Sequence, residues 1–484
     1  MATAYFPGSS VHVMDPVSSS MLLTECDPRK SAQVHIVTFI VFDERLSFEA
    51  FRDRFVENVI LTDTDSRFLY RLDCSNLTTP ARWIKATDWN PEDNFTCISD
   101  PQTFESVNRR VSDRLTAGLD VRKPVWELQF LETYSDGTSS QPVSAAIITM
   151  HHSMGDGFTL CHQIMRRAAP ADASLTMHDC YPFHTPATER QRISLRRTLS
   201  NIVKLVKSIL KLLFLSPDPP SSLRSTTSRG INEPIVSDMA IMSSSVEKLK
   251  KIAHKATWAL SKEVRGRMYL NDVVVAACSL ALGNLMKENR QDVTSAIWIG
   301  LNRKSVIDRP KHRRFDWGNE NLGTCYLKLP TGETDPVEVL IQAHKRLAEM
   351  KTSPEPLVAN RLLAFLGSIP LWILWPFRNV LMDKMSASIS NFPGPIKKIR
   401  IPVTPDNGVN QTLEGVGTVR DAFFVVAPPF KYGPYVTILS YCGRMYLALS
   451  AAEKLMPQSV VEDLVRRKID EAVDLIDKSI DNKM

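Results

Sequence analysis

Seven consecutive residues, His151-His152-Ser153-Met154-Gly155-Asp156-Gly157, give the strongest indication of chemistry in this sequence. A histidine has a pKa near neutral, so an imidazole aimed into a cleft can remove a proton from a hydroxyl as a general base. Adjacent residues at the end of a strand point to opposite faces, so we expect only one of the two histidines to face such a cleft. Gly155 and Gly157 allow a sharp turn and a close approach of main chain to ligand. Asp156 is predicted to anchor the loop.

The same residues allow two other interpretations. A His-His-Asp cluster could bind a metal ion, but no further His, Asp or Glu group at ligand spacing accompanies it in the sequence. A buried histidine pair with a purely structural role is the second possibility. We favour the general base and predict no metal site.

The motif must be positioned by the elements on either side of it. Residues 143–150 (VSAAIITM) form a short apolar run typical of a buried strand, and residues 158–169 (FTLCHQIMRRAA) have the apolar spacing of a helix. Alternation and β-branched content predict further strands, and helical spacing predicts further helices, throughout the chain. In the first half the predicted strands are 34–42, 67–72, 82–88 and 124–131, and the predicted helices are 48–58 and 104–117. Strands and helices mix without a repeat, which indicates an α/β or α+β fold.

Length and composition narrow the class of protein. A chain of 484 residues is too long for one core and predicts two domains. The net charge of +6 is modest, and no dense basic block alternates with aromatic residues, so nucleic acid is a weak candidate partner. A membrane surface or an anionic co-substrate would suit the basic excess better. Eight scattered cysteines without a CxxC pair fit a reducing compartment, and we see no secretory signal.

A proline-rich stretch separates the two predicted domains. We predict an N-terminal domain over residues 1–180, a crossover linker over 181–230 and a C-terminal domain over 231–484. Within the linker, residues 199–215 (LSNIVKLVKSILKLLFL) are predicted to form a basic amphipathic helix, with Lys204, Lys207 and Lys211 on one face. Such a helix is short for a membrane span, which needs about 20 apolar residues. It could lie in a membrane interface or pack on the protein with its lysines reaching outward.

The most apolar stretch of the sequence covers residues 362–381 (LLAFLGSIPLWILWPFRNVL). Pro370 and Pro376 interrupt it, which argues against a straight transmembrane helix. We expect a kinked helix that lies on a membrane or lines an acyl cavity.

The motif and the segments around it resemble a known superfamily. HHSMGDG resembles the HHxxxDG motif of the acyltransferases that include chloramphenicol acetyltransferase, peptide-synthetase condensation domains and plant hydroxycinnamoyl transferases. From about residue 14 to 475, the order of other segments is similar to the wax ester synthase/diacylglycerol acyltransferase family, although PVW stands here where that family has PLW. These segments are MDPVSS, VFDERLSFEAFRDRF, DSRFLYRL, WNPEDNFTC, RKPVWELQFLE, LND and SNFPGP.

The resemblance implies a fold and an active site. It implies two chloramphenicol-acetyltransferase-like α/β domains with the active site in a tunnel between them. The second histidine is the catalytic one in that superfamily, which corresponds here to His152, with Asp156 beside it. His151 and Gly157 would support them. Asp156 is expected to pair with an arginine of the N-terminal half, Arg67 or Arg71.

Three further residues are predicted to contact the substrate. Asn271 and Asp272 resemble the ND motif of the family, near its acceptor channel, and Asn391 lies in SNFPGP. From the residues alone, Asn271 or Asp272 could instead cap the helix predicted over 270–285.

The resemblance therefore predicts an acyl-CoA-dependent O-acyltransferase that makes wax esters or triacylglycerol. Acyl-CoA would be a co-substrate, no bound cofactor is expected, and the acceptor would be a long-chain alcohol or diacylglycerol. The alternatives are a condensation-type enzyme acting on another acceptor and a catalytically silent lipid-binding relative. We expect peripheral association with the cytoplasmic face of a membrane, the endoplasmic reticulum in a eukaryotic cell.

Overall fold

The computed structural model describes residues 11–22, 34–61, 66–73, 81–137, 141–181, 195–224, 233–287, 291–300, 318–319, 322–374, 384–403, 414–428 and 433–484. Seventeen strands lie in this part of the chain. They are β1 (Val11–Val13), β2 (His35–Phe42), β3 (Tyr70–Asp73), β4 (Arg82–Lys85), β5 (Phe95–Ile98), β6 (Gln102–Thr103), β7 (Trp126–Ser135), β8 (Val143–His151), β9 (Ala169–Pro170), β10 (Ile235–Ile241), β11 (Thr294–Gly300), β12 (Leu322–Lys328), β13 (Ala387–Pro393), β14 (Ile399–Ile401), β15 (Gly417–Val426), β16 (Tyr435–Tyr441) and β17 (Arg444–Ala452).

The same residues contain thirteen α-helices. They are α1 (Pro16–Met21), α2 (Phe48–Phe55), α3 (Phe104–Ala117), α4 (Gly157–Met165), α5 (Met177–Cys180), α6 (Leu195–Phe214), α7 (Val246–Ala259), α8 (Leu270–Leu285), α9 (Pro336–Thr352), α10 (Glu355–Gly367), α11 (Leu371–Leu374), α12 (Gln458–Asp463) and α13 (Ile469–Asp481). A π-turn, Leu464–Lys468, joins the last two into one C-terminal helix.

The first large sheet has eight strands in the order β5-β7-β8-β2-β15-β14-β9, with β6 beside β7. Its central strands β2 and β8 are apolar and almost entirely buried, as their β-branched and aromatic content predicts. They pair antiparallel, with His35 opposite His151. The position of the histidine motif is therefore set by the middle of a sheet, which is its most rigid part.

The second large sheet has six strands in the order β10-β17-β16-β13-β11-β12. Strand β13 lies between β11 and β16 and is parallel to both, while β16 and β17 form an antiparallel hairpin. Helices α7, α8, α9 and α13 pack on one face of this sheet through a second apolar core. Nearly every residue of α8 from Asp272 to Leu282 is buried, which explains its continuous apolar sequence.

The two halves of the chain are interlocked. Strands β14 and β15 belong to the second half, yet β15 pairs with β2 of the first sheet, with Val425 opposite Val37. A small third sheet, in the order β1-β4-β3, lies near the N-terminus. The domain limits at residues 180 and 231 stay a prediction, but strands of the first sheet come from both sides of them.

Most predicted elements are confirmed, with shifts at their ends. The predicted strand 67–72 begins as a 3₁₀ turn, Arg67–Leu69, before β3, and the predicted helix 48–58 is α2 followed by a π-turn, Val56–Ile60. The basic helix predicted over 199–215 is α6. The stretch 362–381 divides at Pro370 into the end of α10 and the short α11, and residues 375–383 lie outside the described ranges. In the described ranges, no helix combines the length and apolarity that crossing a bilayer would require.

Candidate active site

His151 ends β8 and faces the protein interior. Its side chain is fully buried. The backbone N–H of Ser153 donates to Nδ1 of His151 at 3.2 Å, and the hydroxyl oxygen of Ser153 lies 2.6 Å from the same nitrogen. Because Nδ1 accepts the backbone N–H, the ring proton of a neutral His151 lies on Nε2. His151 thus takes part in the structure of the strand end.

His152 begins the 3₁₀ turn His152–Met154 and points the other way, as the alternation of a strand end predicts. Its backbone N–H donates to the carbonyl oxygen of Val34 at 2.9 Å, and its imidazole lines a large apolar cavity. Burial among apolar groups is the main cause that lowers the pKa of His152 to about 4, and the neighbouring His151 lowers it further. At neutral pH the His152 imidazole is therefore uncharged, which is the form that a general base requires.

Asn319 contacts His152 from the other half of the chain. Nδ1 of His152 lies 3.2 Å from Oδ1 of Asn319, and Nδ2 of Asn319 donates to the backbone carbonyl of His152 at 2.8 Å. Asn319 is fully buried. Nothing in the residues next to Asn319 indicates a contact 167 positions away, so this residue cannot be identified from the sequence.

The loop after His152 is held by backbone hydrogen bonds to the residue before Asn319. Gly155 and Gly318 form a parallel bridge. The N–H of Gly318 donates to the carbonyl oxygen of Met154 at 2.8 Å, and the N–H of Asp156 donates to the carbonyl oxygen of Gly318 at 3.3 Å. A Cβ on Gly155 would lie 2.8 Å from Cγ2 of Thr159, so this position has no room for a side chain. Residues 318–319 therefore hold in place both the loop after His152 and His152 itself.

Asp156 anchors the start of α4, as its predicted role requires. It is buried, and its Oδ1 accepts the backbone N–H of Thr159 at 2.7 Å, which is the contact of a helix N-cap. Its pairing with Arg67 or Arg71 stays a prediction. Arg67 lies over the ring of Trp83 at 4.9 Å, and Arg71 donates to the carbonyl of Arg122 at 3.4 Å.

The cavity beside His152 lies between the two large sheets. Its volume is about 150 Å³, and its walls come from β2, β8, α4 and β15 on one side and from β11, β13 and β16 on the other. Almost all of its lining side chains are apolar, among them Ile36, Phe392, Phe424 and Leu439. A site of this kind fits a long hydrocarbon chain better than a polar substrate.

A second cavity, of about 50 Å³, adjoins the first beneath α4. The two share lining residues of β2, β8, α4 and β14, and the second continues between α2 and the first sheet to Phe55 and Phe68. Two apolar spaces that share part of their walls thus lie on this side of the molecule, and His152 lines the first of them.

The other predicted site residues have different surroundings. Gly157 lines the main cavity, where a Cβ would lie 3.8 Å from the ring of Phe392. Asn391 donates through Nδ2 to Oδ1 of Asn271, so the structure brings these two predicted residues together. Neither is among the residues that line the two cavities, and their contact with substrate stays a prediction.

Asp272 is fully buried and makes structural contacts. Its Oδ2 accepts the backbone N–H of Tyr269 at 2.7 Å, which caps α8, and lies 3.0 Å from Nδ1 of His344 on α9. These contacts agree with the capping role that the sequence also allowed.

None of the described residues 362–374 lines either cavity, so this part of the apolar stretch does not form the cavity walls. Phe365 and Trp372 are instead exposed. Over the described ranges, no group of three His, Cys, Asp or Glu side chains is placed to bind a metal ion.

Two family models match this chain. The family model of the wax ester synthase/diacylglycerol acyltransferase catalytic domain matches residues 21–274, and the model of the WS/DGAT C-terminal domain matches residues 317–469. Wax ester synthase/diacylglycerol acyltransferase 1 of Arabidopsis thaliana is 23% identical over 347 residues, which are 64% of this chain and 66% of the relative. Number 4 of the same plant is 23% identical over 409 residues, 75% of each chain. The chain therefore spans just under two thirds of the first relative.

Solved structures show the same fold at low identity. The wax ester synthase/diacylglycerol acyltransferase from Marinobacter aquaeolei VT8 is 16% identical with a TM-score of 0.59, and the match covers 97% of this chain and 100% of that one. The TRI3 trichothecene 15-O-acetyltransferase from Fusarium sporotrichioides is 12% identical with a TM-score of 0.61 and covers 98% and 96%. The predicted two-domain α/β acyltransferase fold is confirmed.

Proposed function

Because the chain belongs to the wax ester synthase/diacylglycerol acyltransferase family, we propose that it transfers a fatty acyl group from acyl-CoA to a long-chain alcohol or diacylglycerol. One observation supports this most directly: an uncharged His152 lies on the wall of an apolar cavity that adjoins a second one. Two adjoining apolar spaces suit a reaction in which both substrates carry long hydrocarbon chains.

His152 is the proposed general base. Its Nδ1 contacts Asn319, which leaves Nε2 to accept the proton of the acceptor hydroxyl as that oxygen attacks the thioester carbonyl. A C–O bond forms and a tetrahedral intermediate results. When the C–S bond breaks, Nε2–H returns the proton to the thiolate of CoA. Acyl-CoA is a substrate in this scheme, and no bound cofactor takes part.

The remaining predicted residues support this reaction. Asp156 holds the start of α4 and thus the turn that carries His152, while His151 stabilises the end of β8. Gly157 leaves the cavity open beside Phe392. Asn271 and Asn391 remain candidates for a contact with the acceptor.

The test is product formation by purified protein supplied with hexadecanoyl-CoA and either hexadecanol or diacylglycerol. We expect an ester product, and we expect His152→Ala to lower kcat by roughly 10²–10⁴-fold, the usual contribution of a positioned base. His254→Ala, at an exposed position of α7, is the matched control and should keep full activity.

The outcome separates the alternatives. With an amine or a polyketide-type alcohol supplied as a third acceptor, transfer to that acceptor alone would indicate a condensation-type enzyme. No product with any of the three would indicate a lipid-binding relative. Wild-type turnover by His152→Ala would contradict the proposed base.

We also propose that the protein binds peripherally to a membrane through α6. Ser208 and Leu212, four residues apart, are buried where α6 packs on α10. The opposite side of the helix is apolar and exposed, with 53% of Val203, 48% of Val206, 49% of Leu210 and 74% of Phe214 accessible. An amphipathic helix that turns its apolar side away from the protein fits a lipid interface.

The structure changes one detail of the predicted helix. Lys204 and Lys207 are exposed and can contact anionic lipid, but Lys211 contacts the buried carboxylate of Glu355 at 2.7 Å. Only two of the three lysines are therefore proposed to meet the membrane. Free cysteines among the described residues suit a reducing compartment, so we propose the cytoplasmic face, at the endoplasmic reticulum in a eukaryotic cell.

A further inference from the structure

We infer that Asn319, held by Ser18, is the positioning residue that keeps the ring proton of His152 on Nδ1 and so leaves Nε2 as the basic nitrogen. The inference rests on the proposed function, in which Nε2 accepts the proton of the acceptor hydroxyl. It adds residues from two distant segments, α1 and the loop 318–319, to a site that the sequence motif alone would place on β8 and α4.

The orientation of the Asn319 amide follows from its other hydrogen bonds. Nδ2 donates to the carbonyl oxygen of His152 at 2.8 Å and to Oγ of Ser18 at 2.9 Å. Two acceptors on this side identify it as the NH₂ group, so the atom 3.2 Å from Nδ1 of His152 is the carbonyl oxygen. A carbonyl oxygen only accepts, and Nδ1 must therefore carry the proton.

Ser18 holds the amide in this orientation. Its hydroxyl oxygen also accepts the backbone N–H of Asn319 at 3.2 Å, so one serine accepts from two donors of the same residue. Ser18 is itself fixed in the first turn of α1, where its backbone N–H donates to Oδ1 of Asp15 at 2.8 Å. A buried side chain with this number of fixed contacts can set the tautomer of its neighbour.

The adjacent backbone is shaped for this contact. Gly318 has φ +105°, and a Cβ there would lie 2.5 Å from Oδ2 of Asp15 and 3.3 Å from Oγ of Ser18. Only glycine fits, because both the dihedral angle and the space exclude a side chain. The loop can thus approach α1 closely enough for Asn319 to reach both Ser18 and His152.

The tautomer decides whether His152 can act as a base, because an imidazole in the Nε2–H form cannot accept a proton at Nε2. The imidazole of His152 also hydrogen-bonds to the backbone carbonyl of its own residue, and Nδ2 of Asn319 donates to that same oxygen. Removal of Asn319 would take away the carbonyl oxygen that lies 3.2 Å from Nδ1. A fraction of molecules would then carry the proton on Nε2 and be inactive until that proton moves to Nδ1.

The first test observes the tautomer without substrate. Nitrogen-15 NMR of histidine-labelled full-length protein distinguishes the Nδ1–H and Nε2–H forms, and the spectrum of His152→Ala identifies the His152 signals. We expect Nδ1–H in the wild type and a mixture of tautomers in Asn319→Ala. Asn94→Ala is the matched control: Asn94 is also buried, its Oδ1 accepts an aromatic N–H from Trp89 at 2.8 Å, and its Nδ2 donates to the carbonyl of Pro124 at 3.1 Å. This control should lose stability and keep the wild-type tautomer.

The second test measures turnover. Asn319→Ala should lower kcat roughly 10–100-fold with little change in KM, the usual cost of removing a group that orients a reactive histidine. Asn319→Asp should recover part of the loss because it keeps an acceptor, and its negative charge should move the acid limb of the pH profile of kcat upward. Ser18→Ala should lower kcat less than Asn319→Ala, and the double variant should be no worse than Asn319→Ala alone, because Ser18 acts through Asn319.

Pure Nδ1–H in Asn319→Ala, together with an unchanged kcat, would overturn the inference. Equal losses of kcat in Asn94→Ala and Asn319→Ala would also overturn it, since they would reflect lost stability alone. If the wild type forms no ester, the proposed function fails, and if His152→Ala is as active as the wild type, the proposed base fails. In both cases the NMR result still decides whether Asn319 sets the tautomer.

Discussion

At the scale of single residues, the two adjacent histidines have opposite environments. Backbone donation to Nδ1 of His151 places its proton on Nε2, whereas the contact with Asn319 places the proton of His152 on Nδ1. The same two side chains, one residue apart, therefore differ in tautomer, facing and accessibility. The two imidazoles are chemically identical, so the difference arises from the groups that each of them contacts in the structure.

The low pKa of His152 predicts how activity depends on pH. Protonation inactivates a general base, and burial lowers this pKa to about 4, so kcat/KM should stay level from pH 8 down to about pH 5.5 and fall only below it. The neighbouring titratable group is His151. Initial rates between pH 4 and pH 8 test this, with each sample returned to pH 7 to confirm that it remains folded. An acid limb centred near pH 6.5 would show that the imidazole is not buried as described.

The lowered pKa of His152 also makes the stability of the folded protein depend on pH. In the unfolded chain a histidine binds its proton near pH 6.5, so between that value and about pH 4 the unfolded state holds more protons than the folded state. The contribution of His152 to stability is therefore fully present above about pH 6.5 and decreases as the pH is lowered through this range.

At the scale of elements, α1 connects the active site to α10. A Cβ on Gly367, at the end of α10, would lie 1.6 Å from the carbonyl oxygen of Pro16 and 2.9 Å from the backbone nitrogen of Ser20. Backbone atoms cannot move aside as a flexible side chain can, so the two helices must separate if any side chain is added. Since α1 also carries Ser18, such a separation would displace the contact with Asn319.

We therefore expect Gly367→Ala to destabilise the protein by about 3 kcal/mol or more, at the upper end of overpacking in a core, and to lower kcat as well. The melting temperature and the initial rate measure the two effects. The neighbouring Ser368→Ala is the control, because Ser368 is exposed and its hydroxyl donates to the carbonyl of Ala364, one turn earlier, at 2.8 Å. An unchanged melting temperature in Gly367→Ala would contradict the close approach of α10 and α1.

At the scale of the whole molecule, charge and apolar surface combine on α6. Each basic residue near an anionic membrane contributes about 1 kcal/mol, so Lys204→Glu together with Lys207→Glu should weaken binding to vesicles containing anionic lipid by roughly 30-fold or more. Lys211 should be kept, because a glutamate there would face the buried Glu355. Co-sedimentation with the vesicles measures the binding.

The control for this experiment has the same change in charge elsewhere. Lys250→Glu with Lys251→Glu alters two exposed lysines of α7 and should leave co-sedimentation nearly unchanged. Equal losses in both double variants would show that net charge, and not α6, governs binding. Unchanged sedimentation of the α6 variant would mean that the membrane contact lies elsewhere.

The sequence by itself determined the local features of this protein. Alternation and helical spacing located β2, β8, α3 and α6, because each pattern reports only which face of a single element is buried. The motif at 151–157 indicated a base at a strand end, and its order among other segments indicated the family.

Only the tertiary structure decided which distant residues meet. The contact between His152 and Asn319, the pairing of β15 with β2, the ion pair of Lys211 with Glu355 and the packing of Gly367 on Pro16 join segments far apart in the chain. The local pattern of polar and apolar residues does not identify such a contact, because many different partners would be compatible with the same pattern. The free energy of the whole fold, which includes both sheets and the interlocked strands between them, selects one of these partners. The histidine could thus be found from the sequence, while the residue that orients it could not.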